Sequence, residues 1–337
     1  VRCGRERGLM PALAVFGVGG MGCVYGRDEV EVLLGRMGQG AGSAPLGLLY
    51  PTIIADTWQG EDRVRVMSLT AMVLGIGTAV SPAVGGALAM LHWKLPFLMP
   101  LLGLPVALLA VRLPLMRPGN REPLSQYARK LARAAGRKET LILLGLTLLT
   151  FIMLSGPIIT CFPLLAEGKF KASPLESGLI LASASLASGL AATQLPKLYS
   201  AFKVRNLLLA SFALYSLAFC TIPLATVLWM LLPSILIYGL AQGMNIPLVS
   251  LLLTHQSDEG QRGALMAANA VLLRLGQNIG PALFGSLAGM VGPDAAIAWG
   301  TAIAAIMALL ILLNRSPWQN ADLGKSPASS ADLDLLP

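Results

Sequence analysis

Two arginines of this chain lie inside long apolar stretches, and each is followed by amide side chains on the same helical face. Gln39 comes one turn after Arg36, and Gln277 and Asn278 come one turn after Arg274. A guanidinium inside a bilayer is costly and normally faces the interior of a helix bundle or a water-filled cavity. We therefore interpret Arg274, Gln277 and Asn278 as cavity residues that contact an anionic or polar solute group.

Both arginines also have purely structural interpretations. Arg36 lies near the outer end of its stretch, from where its guanidinium could reach the membrane interface. Arg274 lies near the middle, where helix carbonyls or an acid elsewhere in the protein could hold it as a buried structural charge. Two further amides, Gln242 and Asn245, are predicted to add polar contacts to the cavity. Asp56, followed by Arg63, predicts an ion pair or a helix cap at a cytoplasmic gate.

The elements that must position these residues are predicted to be membrane-spanning helices. Of the 337 residues, 55% are apolar and only 12% are charged, whereas a soluble chain carries about a quarter charged residues. A spanning helix needs about 20 mostly apolar residues. Ten such stretches are present: 8–25, 31–55, 66–91, 95–115, 140–165, 174–196, 206–224, 227–253, 263–291 and 293–313.

The positive charge of the chain is distributed as an orientation signal. The net charge is +8, and if successive spans alternate in direction from a cytoplasmic Val1, most lysines and arginines fall in the inner segments. This pattern predicts a multi-pass protein of the plasma membrane (the inner membrane if the source is bacterial), with both ends of the chain in the cytoplasm. The lipid bilayer is its expected surroundings, and the pattern argues against a nucleic-acid partner.

The loops divide the chain into two helical parts. Residues 1–114 hold four spans and residues 139–314 hold six. Between them, residues 115–138 are basic and carry apolar residues at helical spacing, which predicts an amphipathic helix on the anionic inner leaflet. Residues 315–337 are rich in Pro, Ser, Ala and Asp, which predicts a disordered cytoplasmic tail.

A parallel repeat relates the two parts. The Gln-Gly pair at 39–40 matches the pair at 242–243, and a short acidic and basic turn follows in each copy. A glycine-rich helix comes next, with Pro82 in one copy and Pro281 in the other. Glycines four apart let helix backbones approach closely, and proline bends the helix, although simple membrane packing is the alternative. A duplicated helical membrane protein with ionisable residues in its spans is predicted to be a transporter.

The motifs at these positions resemble those of the major facilitator superfamily, in its drug:proton antiporter branch. The Arg-x-x-Gln-Gly-x-Gly pattern of that family's fourth helix is matched in full by Arg36, Gln39, Gly40 and Gly42. The Gly-x-x-x-Gly-x-x-x-Gly-Pro-x-x-Gly-Gly antiporter signature of its fifth helix is matched at Gly77, Pro82, Gly85 and Gly86, with Val73 and Ser81 in place of two glycines. The second copy of the repeat carries Gly280 and Pro281. Residues 92–97 resemble the family's Trp-Arg-x-x-Phe entry to its sixth helix.

The resemblance implies an all-α polytopic membrane protein with about ten transmembrane helices. These would correspond to helices three to twelve of a fold with two six-helix halves around a central cavity, so that two helices would precede Val1. The implied function is secondary active transport: export of small amphipathic drugs or metabolites by proton antiport, with alternating access between the halves. Arg36 would then act in a proton relay or in helix coupling. Small molecules and protons are the expected partners, with no cofactor and no metal, and a monomer is expected.

The acidic residues leave alternatives open. A proton-driven exporter generally needs a buried carboxylate that can titrate, and no acid lies deep in any span. We expect that acid on the two preceding helices. Otherwise the chain is a uniporter or symporter for a polar or anionic metabolite, or a membrane fragment that does not transport. An enzyme is not expected, because neither a Ser/His/Asp arrangement nor a phosphate-binding glycine loop is present.

Overall fold

The computed structural model of the protein describes residues 5–58, 60–110, 138–255 and 262–314, and every regular element among them is helical. The helices are α1 (Arg5–Tyr25), α2 (Glu29–Thr57), α3 (Gly60–Leu91), α4 (Gly103–Ala110), α5 (Lys138–Met153), α6 (Phe162–Phe170), α7 (Pro174–Ala201), α8 (Val204–Thr221), α9 (Leu231–His255), α10 (Arg262–Val291) and α11 (Pro293–Leu313). Two 3-10 segments, Leu95–Leu102 and Leu228–Met230, precede α4 and α9, and a π-helical segment, Leu154–Cys161, joins α5 to α6.

Six helical segments of the described residues are long and apolar enough to cross a membrane. They are Arg65–Leu91, Lys138–Phe170, Pro174–Ala201, Val204–Thr221, Leu228–Thr254 and Pro293–Leu313. Two shorter apolar segments, Pro11–Tyr25 and Leu95–Val106, accompany them. Helices α2 and α10 have 29 and 30 residues but fall outside this apolar set, and they are the helices that carry Arg36 and Arg274. The all-α membrane fold is confirmed, while the number of ten crossings stays a prediction.

The chain divides into two compact units. The first comprises residues 1–121 together with 173–179, and the second comprises residues 122–172 and 180–337. The amphipathic linker predicted at 115–138 falls, except for Lys138, outside the described residues, and so does the predicted tail at 315–337. The domain boundaries taken from the sequence therefore stay predictions.

In the first unit, α1 and α2 pack with their backbones in close contact. A Cβ atom on Gly19 would lie 2.5 Å from the backbone nitrogen of Gln39, and one on Gly35 would lie 2.7 Å from that of Cys23. A larger side chain at either glycine would push the helices apart, since real Cβ contacts are longer than this. The close approach fixes which face of α2 is turned towards α1, and Gln39 lies on that face.

In the second unit, an aromatic cluster binds α8 to α9. The rings of Tyr215 and Tyr238 lie 5.4 Å apart, and Phe219 lies 5.8 Å from Tyr238 and 6.2 Å from Tyr215. All three side chains are almost completely buried. Aromatic pairs at these separations stabilise the packing beyond the burial of their area. The cluster thereby holds α9, the helix that carries Asn245, in a defined rotation against α8.

The helix that begins as α5 widens into a π-helical turn before it continues as α6. Pro157 lies inside this segment and has no backbone N–H to donate. The hydroxyl of Thr160 donates a hydrogen bond to the carbonyl of Ser155 at 2.8 Å, five residues earlier. The widened turn presents Ser155 to α10, where a Cβ atom on Gly280 would overlap its hydroxyl and lie 2.9 Å from the nitrogen of Gly156. Glycine at 280 is therefore required by this contact.

Candidate functional site

Arg36 on α2 is held from two sides within the first unit. Its Nη1 donates a hydrogen bond to Oε1 of Gln39 at 3.1 Å. On another side, the guanidinium carbon lies 4.6 Å from the centre of the Phe97 ring, which comes from the 3-10 segment before α4. The same-face relation between Arg36 and Gln39 follows from helical spacing, whereas the ring contact could not be read from the sequence.

Gln39 is the buried member of this pair. Its side chain is 5% exposed, and its Nε2 has no hydrogen-bond partner among the described residues. A Cβ atom on Gly20 would lie 3.2 Å from that nitrogen, so α1 leaves little room for the amide to move. Since the Oε1 of Gln39 is turned to Arg36, the amide orients the guanidinium rather than reaching solvent. Gln39 therefore holds the charged group of Arg36 at a defined position.

Arg274 on α10 repeats the local geometry of Arg36. Its Nη1 donates to Oε1 of Gln277 at 3.1 Å, and the side chain of Asn278 donates to the Arg274 carbonyl at 2.7 Å. Both arginines therefore stand in the sequence Arg-x-Gly-Gln, a recurrence that the sequence analysis did not compare. Arg274 is exposed, and no other described residue pairs with its guanidinium. Four of its five donors remain available, as a contact to an anionic or polar group requires.

Asn245 on α9 is buried and committed to two neighbouring helices. It is 1% exposed; its Oδ1 accepts a hydrogen bond from Thr150 on α5 at 3.1 Å, and its Nδ2 donates to Ser211 on α8 at 3.2 Å. The predicted cavity contact at this position therefore competes with these two bonds. Gln242, one turn earlier, is only half-buried. Both residues stay predictions as substrate contacts.

A small cavity lies beside this network, wholly within the second unit. Thr147 on α5 donates to Oδ1 of Asn269 on α10 at 2.7 Å at its edge. The lining residues are Thr147, Thr150, Phe151, Asn245, Ile246, Val249, Ser250, Asn269 and Leu273. Thr147, Thr150 and Asn269 were not among the cavity residues predicted from the sequence. The available signal was the recurrence of hydroxyl and amide groups inside otherwise apolar helices, which is unfavourable unless they are paired.

Substitution of Asn245 by alanine is expected to destabilise the protein. It would leave the hydroxyls of Thr150 and Ser211 buried without Asn245 as partner, at a cost of about 1–2 kcal/mol. Thermal unfolding in detergent should show a melting temperature lowered by several degrees, about 2–4 °C per kcal/mol for a chain of this size. Asn278→Ala is the matched control, because Asn278 is exposed and donates only to the carbonyl of its own helix. Equal melting temperatures for both variants would contradict the assigned network.

The antiporter signature on α3 meets the start of α7 through two glycines in the first unit. A Cβ atom on Gly86 would overlap the carbonyl oxygen of Pro174, and one on Gly178 would overlap the carbonyl oxygen of Pro82. Each helix thus contributes a Pro-x-x-x-Gly segment, and proline of one faces glycine of the other. The two backbones approach without intervening side chains, so the contact depends on both residues being glycine.

The other residues of the matched motifs have different surroundings. On Gly42, a Cβ atom would overlap the backbone nitrogen of Phe16 on α1. On Gly40, Gly77 and Gly85, a Cβ atom would meet no described atom within 4 Å. Ser81 is exposed, and Pro82 and Pro281 lie inside α3 and α10. Packing therefore accounts for glycine at 42, 86 and 280, but among the described residues it does not account for the others.

The predicted cytoplasmic gate is not described at the level of side chains. The side chains of Asp56 and Arg63 lie outside the described part of the structure, so their pairing stays a prediction. An ion pair that the sequence analysis missed lies elsewhere in the second unit. Lys169 at the end of α6 contacts Asp294 at the start of α11 at 2.9 Å and also donates to the carbonyl of Pro223 at 2.9 Å. Both charged groups are partly exposed, so the pair contributes modestly.

Comparison with known proteins decides the family. The sequence matches the Major Facilitator Superfamily over residues 1–169 and again over residues 143–333. The chain belongs to this superfamily. The Major Facilitator Superfamily consists of transporters, so the prediction that the protein is not an enzyme is confirmed. The protein is a multi-pass membrane transporter that binds small molecules.

Relatives of this Major Facilitator Superfamily protein include exporters. The tetracycline resistance protein, class C, of Escherichia coli is 26% identical over 282 residues, which is 82% of this chain and 71% of that protein. The cephamycin export protein CmcT of Amycolatopsis lactamdurans is 28% identical over 195 residues, 51% of this chain and 38% of that protein. These matches confirm the resemblance to drug-efflux members of the superfamily.

Solved structures support the fold independently. The crystal structure of a POT family transporter in complex with 5-aminolevulinic acid superposes with a TM-score of 0.76 at 10% sequence identity, covering 92% of this chain and 81% of that chain. At this identity the likeness concerns the fold alone. It confirms the Major Facilitator Superfamily helical bundle expected from the motifs, whereas the roles of the individual site residues stay predictions.

Proposed function

We propose that the protein exports small amphipathic molecules, drugs or metabolites, in exchange for protons. Residues 1–114 and 139–314 would act as the two moving parts of alternating access, joined by the segment 115–138. The protein would work as a monomer in the plasma membrane with both described ends of the chain on the cytoplasmic side, as the distribution of basic residues favours.

The observation that carries this proposal is the contact made by the antiporter signature. The segments Pro82–Gly86 and Pro174–Gly178 touch backbone to backbone, with no side chain between them. Such a contact is closely packed, yet it has no interdigitated side chains that must unlock when one helix tilts against the other. A glycine-faced helix that contains a proline at this position suits a rocking motion that opens and closes one side of a transporter.

The arrangement of Arg36 supports the coupling part of the proposal. A permanently charged group is held by Gln39 and Phe97, and such a group can lower the pKa of a carboxyl or stabilise its charged form when a proton leaves. In this role Arg36 contributes a fixed positive charge. It would link the protonation state of a neighbouring acid to the position of α2. The names of the relatives, a tetracycline resistance protein and a cephamycin exporter, support export as the direction.

One observation favours a second candidate function. Arg274 is exposed, and among the described residues only Gln277 binds its guanidinium. A uniporter or symporter for an anionic metabolite would use such a group to hold the carboxylate or phosphate of its substrate. In that case Arg274→Gln would weaken substrate binding, whereas Arg36→Ala would have the smaller effect.

The test is accumulation of tetracycline and ethidium in efflux-deficient cells that express the protein. We expect expressing cells to hold less of a substrate than control cells, and a protonophore should remove the difference, because proton antiport draws its energy from the proton gradient. A difference that survives the protonophore would contradict proton antiport. Equal accumulation in expressing and control cells, with the protein present in the membrane, would contradict export of these compounds.

A further inference from the structure

The motif at residues 92–97 forms further contacts around the Phe97 ring, which holds the Arg36 guanidinium. Phe97 places its ring against Arg36, with 4.6 Å between the guanidinium carbon and the ring centre. This distance lies within the range of a cation–π interaction. Trp93 meets the Phe97 ring edge-on, at 6.2 Å between centres and 90° between planes. The two rings therefore brace one another beside the charge.

The segment that carries Phe97 is anchored to α1. The Nζ of Lys94 donates a hydrogen bond to the carbonyl of Gly26, just after the end of α1, at 2.7 Å. Its charge there also meets the free carbonyls of a helix C-terminus, which attract cations. At the other end of the contact, a Cβ atom on Gly20 would lie 3.0 Å from the carbonyl oxygen of Phe97. The backbone around Phe97 thus has a defined position relative to α1.

Arg36 needs a second contact to be oriented. The hydrogen bond from its Nη1 to Gln39 fixes one point of the guanidinium, but the group could still rotate about that point. The ring of Phe97 removes this freedom, because the guanidinium plane can lie flat on the ring face. Gln39 lies on the same helix as Arg36, whereas Phe97 lies on a different element. The ring contact therefore couples the position of the charge to the segment before α4.

We propose that Phe97 is a positioning residue for Arg36, held in place by Trp93 and Lys94. This inference rests on the proposed function of Arg36 in coupling, and it adds the element from which the arginine is oriented. Movement of the segment Leu95–Leu102 relative to α2 would move the ring, and with it the direction of the guanidinium.

The test is an aromatic series at position 97 measured for transport. Phe97→Leu keeps an apolar side chain of similar size but removes the ring, and we expect transport to fall about 3- to 5-fold, as the loss of an exposed cation–π contact predicts. Phe97→Tyr and Phe97→Trp keep the ring and should restore transport to within about twofold of wild type. If Phe97 served only in packing, transport would not depend on the presence of an aromatic ring at this position. The proposal would be overturned if Phe97→Leu transported as well as Phe97→Tyr, or if Phe97→Tyr transported as poorly as Phe97→Leu.

A control variant is available in the second unit. Phe170 lies beside Lys169 at 5.6 Å between ammonium and ring centre, and Phe170→Leu removes a comparable contact far from Arg36 in the sequence. It should leave transport unchanged. A fall equal to that of Phe97→Leu would show that the effect is general to lost rings and would overturn the assignment.

A second measurement separates this inference from the proposed function. The decrease in melting temperature of the double variant should differ from the sum of the decreases of Phe97→Leu and Arg36→Gln. The effects of two substitutions add when the residues are independent, but not when the residues are in contact. Suppose that the changes in melting temperature are not additive but Arg36→Ala transports normally. This result would support the contact between Phe97 and Arg36 and would refute a role of Arg36 in proton coupling. Additive melting temperatures, with transport lost in Arg36→Ala, would refute the inference and leave the proposed function intact.

Discussion

The Arg36→Ala variant is expected to lose coupled transport while it still reaches the membrane at the wild-type level. The substitution removes the hydrogen bond to Gln39 and the contact with Phe97. Together such contacts are worth about 3 kcal/mol, or roughly a factor of 100 in rate when the charge is needed. Arg36 is exposed in the described structure, so its removal leaves no cavity and folding should persist. Transport by purified, reconstituted protein measures the effect.

Two controls accompany this variant. Arg36→Lys keeps the charge but not the planar group, so transport should be reduced but remain measurable. Arg27→Ala removes another exposed arginine between α1 and α2, whose side chain is not assigned any role in transport, and it should behave as wild type. Near-normal transport by Arg36→Ala would refute the role of Arg36. Loss of transport by Arg27→Ala as well would point to a general dependence on charge.

The second large effect is expected at Gly86, where valine should abolish transport. The new side chain would overlap the carbonyl of Pro174, and overpacking of this kind typically costs about 1–3 kcal/mol or forces the backbones apart. Separation of α3 from the start of α7 would remove the close contact on which the proposed mechanism of alternating access relies. We expect loss of transport together with a lowered melting temperature in detergent.

The adjacent glycine provides the matched control. A Cβ atom on Gly85 would meet no described atom within 4 Å, so Gly85→Val should keep most of the transport activity and the thermal stability. Both variants add the same side chain to the same helix one residue apart, so helix propensity and expression should be affected alike. Comparable loss in both variants would show that the signature requires glycine for a reason other than this contact.

Gly85 and Gly86 also show which features of the structure could be predicted from the sequence and which could not. The motif treated Gly85 and Gly86 as equivalent, since both match the antiporter signature. Within the described part of the chain, Gly86 faces a neighbouring helix and Gly85 does not, because the rotation of α3 about its axis depends on contacts with residues distant in the sequence. Apolar stretch lengths, in contrast, predicted the positions of the helices well, since the bilayer thickness sets the length of a spanning helix.

The polar residues divide in the same way. The pairing of Arg36 with Gln39, and of Arg274 with Gln277, follows from spacing within one helix and was predictable. The bonds of Asn245 to α5 and α8 were not, because they require the relative rotation of three helices. The contact between Phe97 and Arg36 depends likewise on the path of the 3-10 segment.

The measurement that tests the central claim most directly is transport by the purified protein in liposomes with an imposed pH gradient. With the lumen more acidic than the outside, outward proton flow should drive tetracycline inwards. The compound should therefore accumulate above its external concentration. Protein-free liposomes and liposomes with Arg36→Ala are the controls for passive trapping, and dissipation of the gradient with an ionophore should release the accumulated compound. Proton-coupled export would be contradicted if accumulation equalled that of protein-free liposomes, or if tetracycline flux were the same with and without the pH gradient.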